Sequence, residues 1–301
     1  MKKILIADKI HSDALDELNR IKEFDVTVKT GMDEKALIET IPEFNAIVVR
    51  SHSKITAPVL EAAKNLKIII RAGIGLDNID VERALEKGIR VENTPKATAI
   101  SVAEQTFGLM LSTARNLGKA NLSMKAHKWE KSSFEGIELY EKTLGIIGIG
   151  RIGQEVAKRA IAFGMKVLAH DIRDIKSDID VQMVTLGELL VMSDIITLHI
   201  PLAPETHHLL SHREFAQMKK GVILINPSRG GVVDEEALLA ALESGKVRSA
   251  ALDVFEKEPP TDFRLIDHEN VIATPHIGAS ANEGQRRSGM EVVQILRECF
   301  C

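Results

Sequence analysis

Arg229, Glu258 and His276 have the types and the settings to move a proton beside a redox step. Each sits in a loop directly after a short predicted strand. Asn226-Pro227-Ser228-Arg229-Gly230-Gly231 follows residues 222–225. Val254-Phe255-Glu256-Lys257-Glu258-Pro259 follows residues 250–253. Thr274-Pro275-His276-Ile277-Gly278-Ala279 follows residues 271–273. In open parallel sheets ligands collect outside the carboxyl ends of the strands, so adjoining strand-end loops can share one site. Histidine is the natural general base near neutral pH. A carboxylate beside it holds the ring and favours the imidazolium. A guanidinium grips a carboxylate through two parallel hydrogen bonds and polarises the carbonyl next to it. Singly, each residue has a plainer reading: a loop cap, a solvated turn acid before Pro259, a hydrogen-bonded loop histidine. Their joint placement at adjoining strand ends, together with the dinucleotide fold read next, favours a dehydrogenase, in which an alcohol gives hydride to a nicotinamide and must also lose a proton.

The nicotinamide carrier is read from residues 143–153, T-L-G-I-I-G-I-G-R-I-G. An apolar run over 144–149 predicts a buried strand. Gly148, Gly150 and Gly153 follow in the spacing G-x-G-x-x-G, and a helical pattern then runs to Gly164. Gly148 permits the tight turn, Gly150 lets a pyrophosphate approach the backbone, and Gly153 lets helix and strand pack closely. The helix N-terminus offers unbonded amides and partial positive charge to phosphates. A second strand over 166–169 ends at His170-Asp171. Asp171 lies about 20 residues beyond the glycines, where an acid bonds ribose hydroxyls. It would repel a ribose phosphate, so the expected cofactor is NAD rather than NADP.

Elements that hold these loops follow from the apolar pattern. Strands are expected over 3–7, 26–28, 46–49, 67–70 and 89–91, alternating with helices, which favours a parallel sheet. The third of them ends at Arg50-Ser51. Asn93-Thr94-Pro95 breaks the alternation, and a helix is expected over about 98–116. Residues 121–140, with the sole tryptophan Trp129, read as polar and irregular, a linker or a subunit contact. A second alternating set starts at 143 and a last helix over about 282–298.

The 301 residues carry a formal net charge of -4, with no basic stripe, so neither nucleic acid nor a membrane surface is an expected partner. No apolar run reaches the roughly 20 residues of a spanning helix. The start enters a strand directly, so no signal peptide is expected. Cys299 and Cys301 are too close and too terminal to frame a fold. A reducing, cytoplasmic setting is the expectation. His207, His208 and His212 cluster without an acid or cysteine to complete a metal set, and no metal is expected.

R-A-G-I-G-L-D-N-I-D (71–80), G-I-G-R-I-G (148–153), N-P-S-R-G-G-V-V-D (226–234), L-D-V-F-E-K-E-P (252–259) and T-P-H-I-G-A (274–279) together resemble the D-isomer-specific 2-hydroxy acid dehydrogenases. V-R-S-H-S-K-I-T (49–56) and residues 92–105 are similar to the branch of that family that oxidises 3-phosphoglycerate. The resemblance implies an α/β protein of two parallel-sheet domains. A flavodoxin-like substrate domain (1–95 with 283–301) would carry a Rossmann-type NAD domain (96–282) inserted in it, and the cleft would close on a small 2-hydroxy or 2-keto acid. It implies His276 as acid/base, Glu258 as its orienting partner and Arg229 as binder of substrate carboxylate and carbonyl. The amides of Gly73, Ile74 and Gly75 would hold the carboxylate, and Arg50 and Ser51 the far end of the substrate. Arg151 and Ile152 would sit at the pyrophosphate, Asp171 at the adenine ribose and Ile200 beside the adenosine half. Asp253 would bond the nicotinamide amide; Pro227, Ser228, Arg229, His276, Gly278 and Ala279 complete the expected cofactor contacts. A homodimer through the NAD domain is implied, with 118–140 reaching the partner. A serine-binding regulatory domain would follow Cys301 in many members, so serine feedback is not expected here. A glyoxylate or hydroxypyruvate reductase would share every catalytic residue, and an NAD-sensing binding protein would share the fold.

Overall fold

The computed structural model describes residues 1–175 and 179–301. In chain order the elements are β1 (Lys2–Ile6), α1 (Ser12–Arg20), β2 (Phe24–Val28), α2 (Glu34–Thr40), β3 (Ala46–Val49), α3 (Ala57–Ala62), β4 (Ile68–Arg71), α4 (Val81–Glu86) and β5 (Arg90–Asn93). Then come α5 (Ala99–Ala114), α6 (Leu117–Lys125), β6 (Thr143–Ile147), α7 (Arg151–Ala162), β7 (Lys166–His170), β8 (Gln182–Met183), α8 (Leu186–Met192) and β9 (Ile195–Leu198). The chain ends with α9 (His212–Gln217), β10 (Val222–Asn226), α10 (Glu235–Glu243), β11 (Val247–Leu252), β12 (Val271–Ala273) and α11 (Asn282–Phe300). Two compact units result: residues 1–99 with 279–301, and residues 100–278.

The first unit holds a parallel sheet in the order β2-β1-β3-β4-β5. Its central strands are apolar over Ala46–Val49 and Ile68-Ile69-Ile70, because helices cover both faces and these side chains are buried. One face packs Leu5, Ile47, Ile69 and Val59; the other packs Ile4, Val48, Ile70 and Leu18 with Val292 and Leu296 of α11. The order reverses between β1 and β3. The loop after β3 therefore leaves the sheet at a switch point, the place where such sheets bind ligands.

The second unit holds a parallel sheet in the order β12-β11-β10-β9-β6-β7-β8. Its switch point lies between β6 and β9, which pair from Leu144↔Ile195 to Ile147↔Leu198. Helix α7 buries Gly153, Val156, Ala157 and Ala160 against this sheet. It stops because Gly164 turns into the left-handed region at φ +71, and the Met165 amide then donates to the Ala160 carbonyl. The sequence reading missed α6. Its Leu117, Leu122 and Met124 are exposed, so no apolar stripe faces the unit's own core and the periodic signal is weak. No helix of the described residues is long and apolar enough to cross a membrane.

Candidate active site

The glycine turn after β6 is a cradle with no room for side chains at Gly148 and Gly153. Gly148 has φ +94, and a Cβ there would lie 2.5 Å from the His199 carbonyl oxygen and 2.6 Å from Ile200 Cγ2. A Cβ on Gly153 would lie 2.2 Å from the Gly148 oxygen. Gly150 differs: its nearest neighbour would be the Arg173 guanidinium at 3.6 Å, so its backbone face is open. Gly150 is also the N-cap of α7 and supplies no side-chain cap, so the first-turn amides around Arg151 and Ile152 suit a diphosphate. Asp171 emerges at the end of β7. Its Oδ2 accepts the Ile149 amide at 3.1 Å, and its Oδ1 accepts the Arg173 amide and Nε at 3.0 and 3.2 Å. Burial pushes this carboxyl up, but the Arg173 and Ile149 bonds outweigh it and hold it below the usual value. His199, under the turn, has a buried Nδ1 without a hydrogen-bond partner, while its Nε2 meets Thr197 Oγ1 at 3.0 Å. Burial drives its pKa down to about 3, so the ring is neutral. An open cradle, a helix N-terminus and an acid at the end of the next strand fit NAD.

Arg229, Glu258 and His276 stand on three neighbouring strand ends of the same sheet, after β10, β11 and β12. His276 Nδ1 and Glu258 Oε2 are 2.8 Å apart. Both side chains are partly exposed, so the ring edge is open to a reactant. Half-burial pushes the Glu258 carboxyl up; the bond and charge of His276, the Phe255 amide and the Arg229 charge pull it down further, and it lies below the usual carboxylate value. His276 itself has φ +53, a left-handed conformation costing a non-glycine residue about 1–3 kcal/mol. Its amide donates to the Asp253 and Thr274 carbonyls.

Asp253 explains how that conformation persists. It is 1% exposed. Its carboxylate accepts Thr274 Oγ1 at 2.5 Å, the Ile277 amide at 2.9 Å and the Gly278 amide at 2.7 Å. Each such charge-assisted bond contributes about 1.5–3 kcal/mol, enough together to offset the cost of burying one carboxylate. Both carboxylate oxygens thus brace the loop of His276. The sequence reading gave Asp253 a cofactor contact and missed this brace, which joins residues 21 to 25 positions apart.

Arg229 is fixed by its own turn. Its Nη1 donates to the Ser228 carbonyl at 2.7 Å, and Asn226 Nδ2 donates to the Arg229 carbonyl at 3.0 Å. Pro227 and Ser228 are buried beneath it. Gly230 must be glycine, since a Cβ there would lie 1.8 Å from the Phe255 carbonyl oxygen. The loops of Arg229 and Glu258 are therefore packed backbone to backbone.

The remaining predicted residues lie in the first unit. Arg50, Gly73 and Ala279 line one small pocket with Ile10, Thr98 and Gln285. The Arg50 amide donates to buried Asp8 at 2.5 Å, and Arg50 Nη1 donates to the Lys9 carbonyl and Gln285 Oε1, both at 3.3 Å. Asn78 Nδ2 donates to the Arg50 and Ser53 carbonyls, which pins the loop of exposed Ser51. The Ile74 carbonyl accepts from Asn93 Nδ2, and Gly75 follows in the same turn. Asp8 and Asn78 escaped the sequence reading; an acid directly after a strand, at 8, was the one available signal.

A parallel sheet with a glycine-turn cradle at its switch point defines an NAD-binding Rossmann-type unit. Residues 107–278 match the family model "D-isomer specific 2-hydroxyacid dehydrogenase, NAD binding domain". The chain is 52% identical to the hydroxypyruvate reductase of Thermotoga maritima, over 98% of this chain and 97% of that one. It is 49% identical to the D-3-phosphoglycerate dehydrogenase of Methanocaldococcus jannaschii, over 99% of this chain and 57% of that protein, so it spans little more than half of that relative's length. The crystal structure of the Aquifex aeolicus D-lactate dehydrogenase, complexed with NAD and lactic acid, superposes with a TM-score of 0.86 at 32% identity, over 98% and 94% of the two chains. The chain belongs to the D-isomer-specific 2-hydroxyacid dehydrogenase family and is an NAD-dependent oxidoreductase of that class.

Proposed function

We propose that the protein oxidises 3-phospho-D-glycerate to 3-phosphohydroxypyruvate, with His276 as acid/base. The observation that carries the acid/base reading is the His276–Glu258 contact of 2.8 Å beside the Arg229 charge. NAD, when bound, supplies hydride transfer. His276 takes the hydroxyl proton in oxidation and returns it in reduction. Glu258, held ionised, orients the ring and favours its protonated form as the proton arrives. Arg229 binds the substrate carboxylate and polarises the developing carbonyl.

The phosphate reading rests on Arg50, held by Asp8, Lys9 and Gln285 at a strand-end loop that also carries His52 and Lys54. Ser51 and the backbone of 73–75 complete the substrate contacts of that unit. A second reading, a hydroxypyruvate or glyoxylate reductase, is favoured by the end-to-end match to the Thermotoga protein. Steady-state rates with 3-phosphoglycerate, 3-phosphohydroxypyruvate, hydroxypyruvate and glyoxylate decide between them. The phosphorylated pair is expected to lead in kcat/KM by at least tenfold, about 1.4 kcal/mol. The reverse order at that margin would replace the first reading by the second.

Asp171 is assigned to the adenine ribose. Asp171→Ser is expected to lower kcat/KM for NAD by about tenfold or more, the scale of one charge-assisted hydrogen bond, while NADP is used better than by the parent. An unchanged NAD-to-NADP ratio would remove that assignment. A homodimer through the second unit completes the proposal. It is supported by exposed Leu117, Leu122, Met124, Trp129 and Tyr140 along 117–140. A cytoplasmic setting and a role in serine biosynthesis follow from the phosphoglycerate reading and stand or fall with it.

A further inference from the structure

We propose that Glu256 is a positioning residue for the Glu258–His276 pair, locking the loop after β11 onto the N-terminus of α10 and onto His208. The proposal rests on the reading of His276 given above and adds to it the group that fixes the base's partner.

The first amides of a helix lack intrahelical acceptors, and its N-terminus carries partial positive charge. In α10 the N-cap Asp234 serves only the Ala237 amide, at 3.0 Å. The Glu235 amide donates instead to Glu256 Oε1 at 3.2 Å. The bond is answered: the Glu256 amide donates to Glu235 Oε1 at 2.7 Å. Two residues 21 positions apart thus clasp each other, backbone to side chain in both directions. His208 Nε2 lies 3.0 Å from the same Glu256 Oε1. His208 has φ +51, its amide donates to the Gly231 carbonyl, and its ring stacks on His207 at 3.9 Å. Glu256 therefore ties together the segments that follow β9, β10 and β11.

The clasp sits two residues from Glu258. The Phe255 amide, on the other side of Glu256, donates to Glu258 Oε1 at 3.2 Å, while Glu258 Oε2 faces His276. Phe255 is buried in the core, and its carbonyl packs on Gly230, next to Arg229. A shift of residue 256 moves the Phe255–Glu258 bond, and with it the carboxylate on the ring. Displacements of about 1 Å in a catalytic group can cost a hundredfold in rate. The titratable and charged groups around the clasp are His207, His208, Asp234, Glu235, Glu236, Asp262 and Arg264. Burial pushes the Glu235 carboxyl up and the hydrogen bond from the Glu256 amide pulls it down, but the charges of Glu256, Asp262 and Glu236 push it up again, and it lies above the usual carboxylate value.

The test uses the full chain with Glu256→Ala, Glu256→Gln and His208→Gln. Turnover is measured with the best substrate of the panel above over a range of NAD up to saturation, and ring protonation of His276 is followed by NMR titration of the NAD-free protein, the signal assigned by its loss in His276→Gln. For Glu256→Ala, kcat is expected to fall about tenfold or more with KM for NAD within about twofold. The His276 titration is expected to move to lower pH, because a loosened carboxylate favours the protonated ring less. Glu256→Gln, which keeps an acceptor for the Glu235 amide, is expected to recover most of the rate. His208→Gln should show a smaller loss of the same sign, and it carries the test if Glu256→Ala fails to fold. A normal rate and an unmoved titration in these variants, with His276→Ala inactive, would overturn the proposal alone. Activity retained in His276→Ala would overturn the reading beneath it.

Discussion

Replacing His276 by alanine is expected to cut turnover about a hundredfold or more, the usual worth of a positioned acid/base. The structure makes this a clean experiment. The loop is held by Asp253 through the Thr274 hydroxyl and the Ile277 and Gly278 amides, none of which involves the imidazole. Truncation therefore removes the ring and leaves its backbone in place. NADH affinity, followed by fluorescence, should stay within about threefold, less than 1 kcal/mol. The pH dependence supplies a second readout. Oxidation needs the neutral ring and reduction the protonated one, so the parent should lose oxidation as pH falls and reduction as pH rises. Both limbs should vanish in the variant. Glu258 sets a lower limit on pH. Its carboxyl is held below the usual value in the folded protein, so its contribution to stability is present above the unfolded carboxylate pKa and is lost as pH falls through the folded one. A His276→Ala enzyme of near-normal rate, or one retaining both limbs, would refute the assignment.

The features that could be read in the sequence are those whose physics is local. The apolar run, the three glycines and the amphipathic stretch from Gln154 onward sit next to one another, and together they specify a strand, a cradle and a helix. Strand-end loops were legible for the same reason: polar residues such as Asn226 and Thr274 follow fully apolar runs. What stayed hidden joins distant positions. Asp8 reaches Ser53 across 45 residues, Asn78 reaches the Arg50 carbonyl across 28, and Glu256 reaches Glu235 across 21. An acid in a loop looks solvated until its partners are known. Asp253 shows the same limit from the other side. Its placement beside the site was legible, but the direction of its carboxylate, into the His276 loop, was not. Helix α6 was unreadable because its apolar side chains point to solvent rather than to its own sheet.

Arg229→Gln is expected to lower kcat/KM about a hundred- to a thousandfold, about 2.7–4 kcal/mol, the cost of removing a donor aimed at developing negative charge. Two effects should separate in the kinetics. Loss of the grip on the substrate carboxylate weakens ground and transition states alike and raises KM. Loss of polarisation at the reacting carbonyl acts only in the transition state and lowers kcat. Arg229→Lys distinguishes charge from geometry. Lysine keeps the cation beside Glu258, which depends on Arg229 in part for its lowered carboxyl, but it cannot present the planar fork. The lysine variant is expected to recover part of kcat while KM stays high. The turn itself should survive both changes. Asn226 Nδ2 bonds the backbone carbonyl of 229 rather than its side chain, and Gly230 keeps the turn packed on Phe255. Melting temperatures within a few degrees of the parent would confirm that the loss is chemical, since a 1 kcal/mol destabilisation shifts a chain of this size by about 2–4 °C. A lysine variant equal to the parent in both kcat and KM would show that a point charge suffices, and the bidentate role proposed for Arg229 would then be wrong.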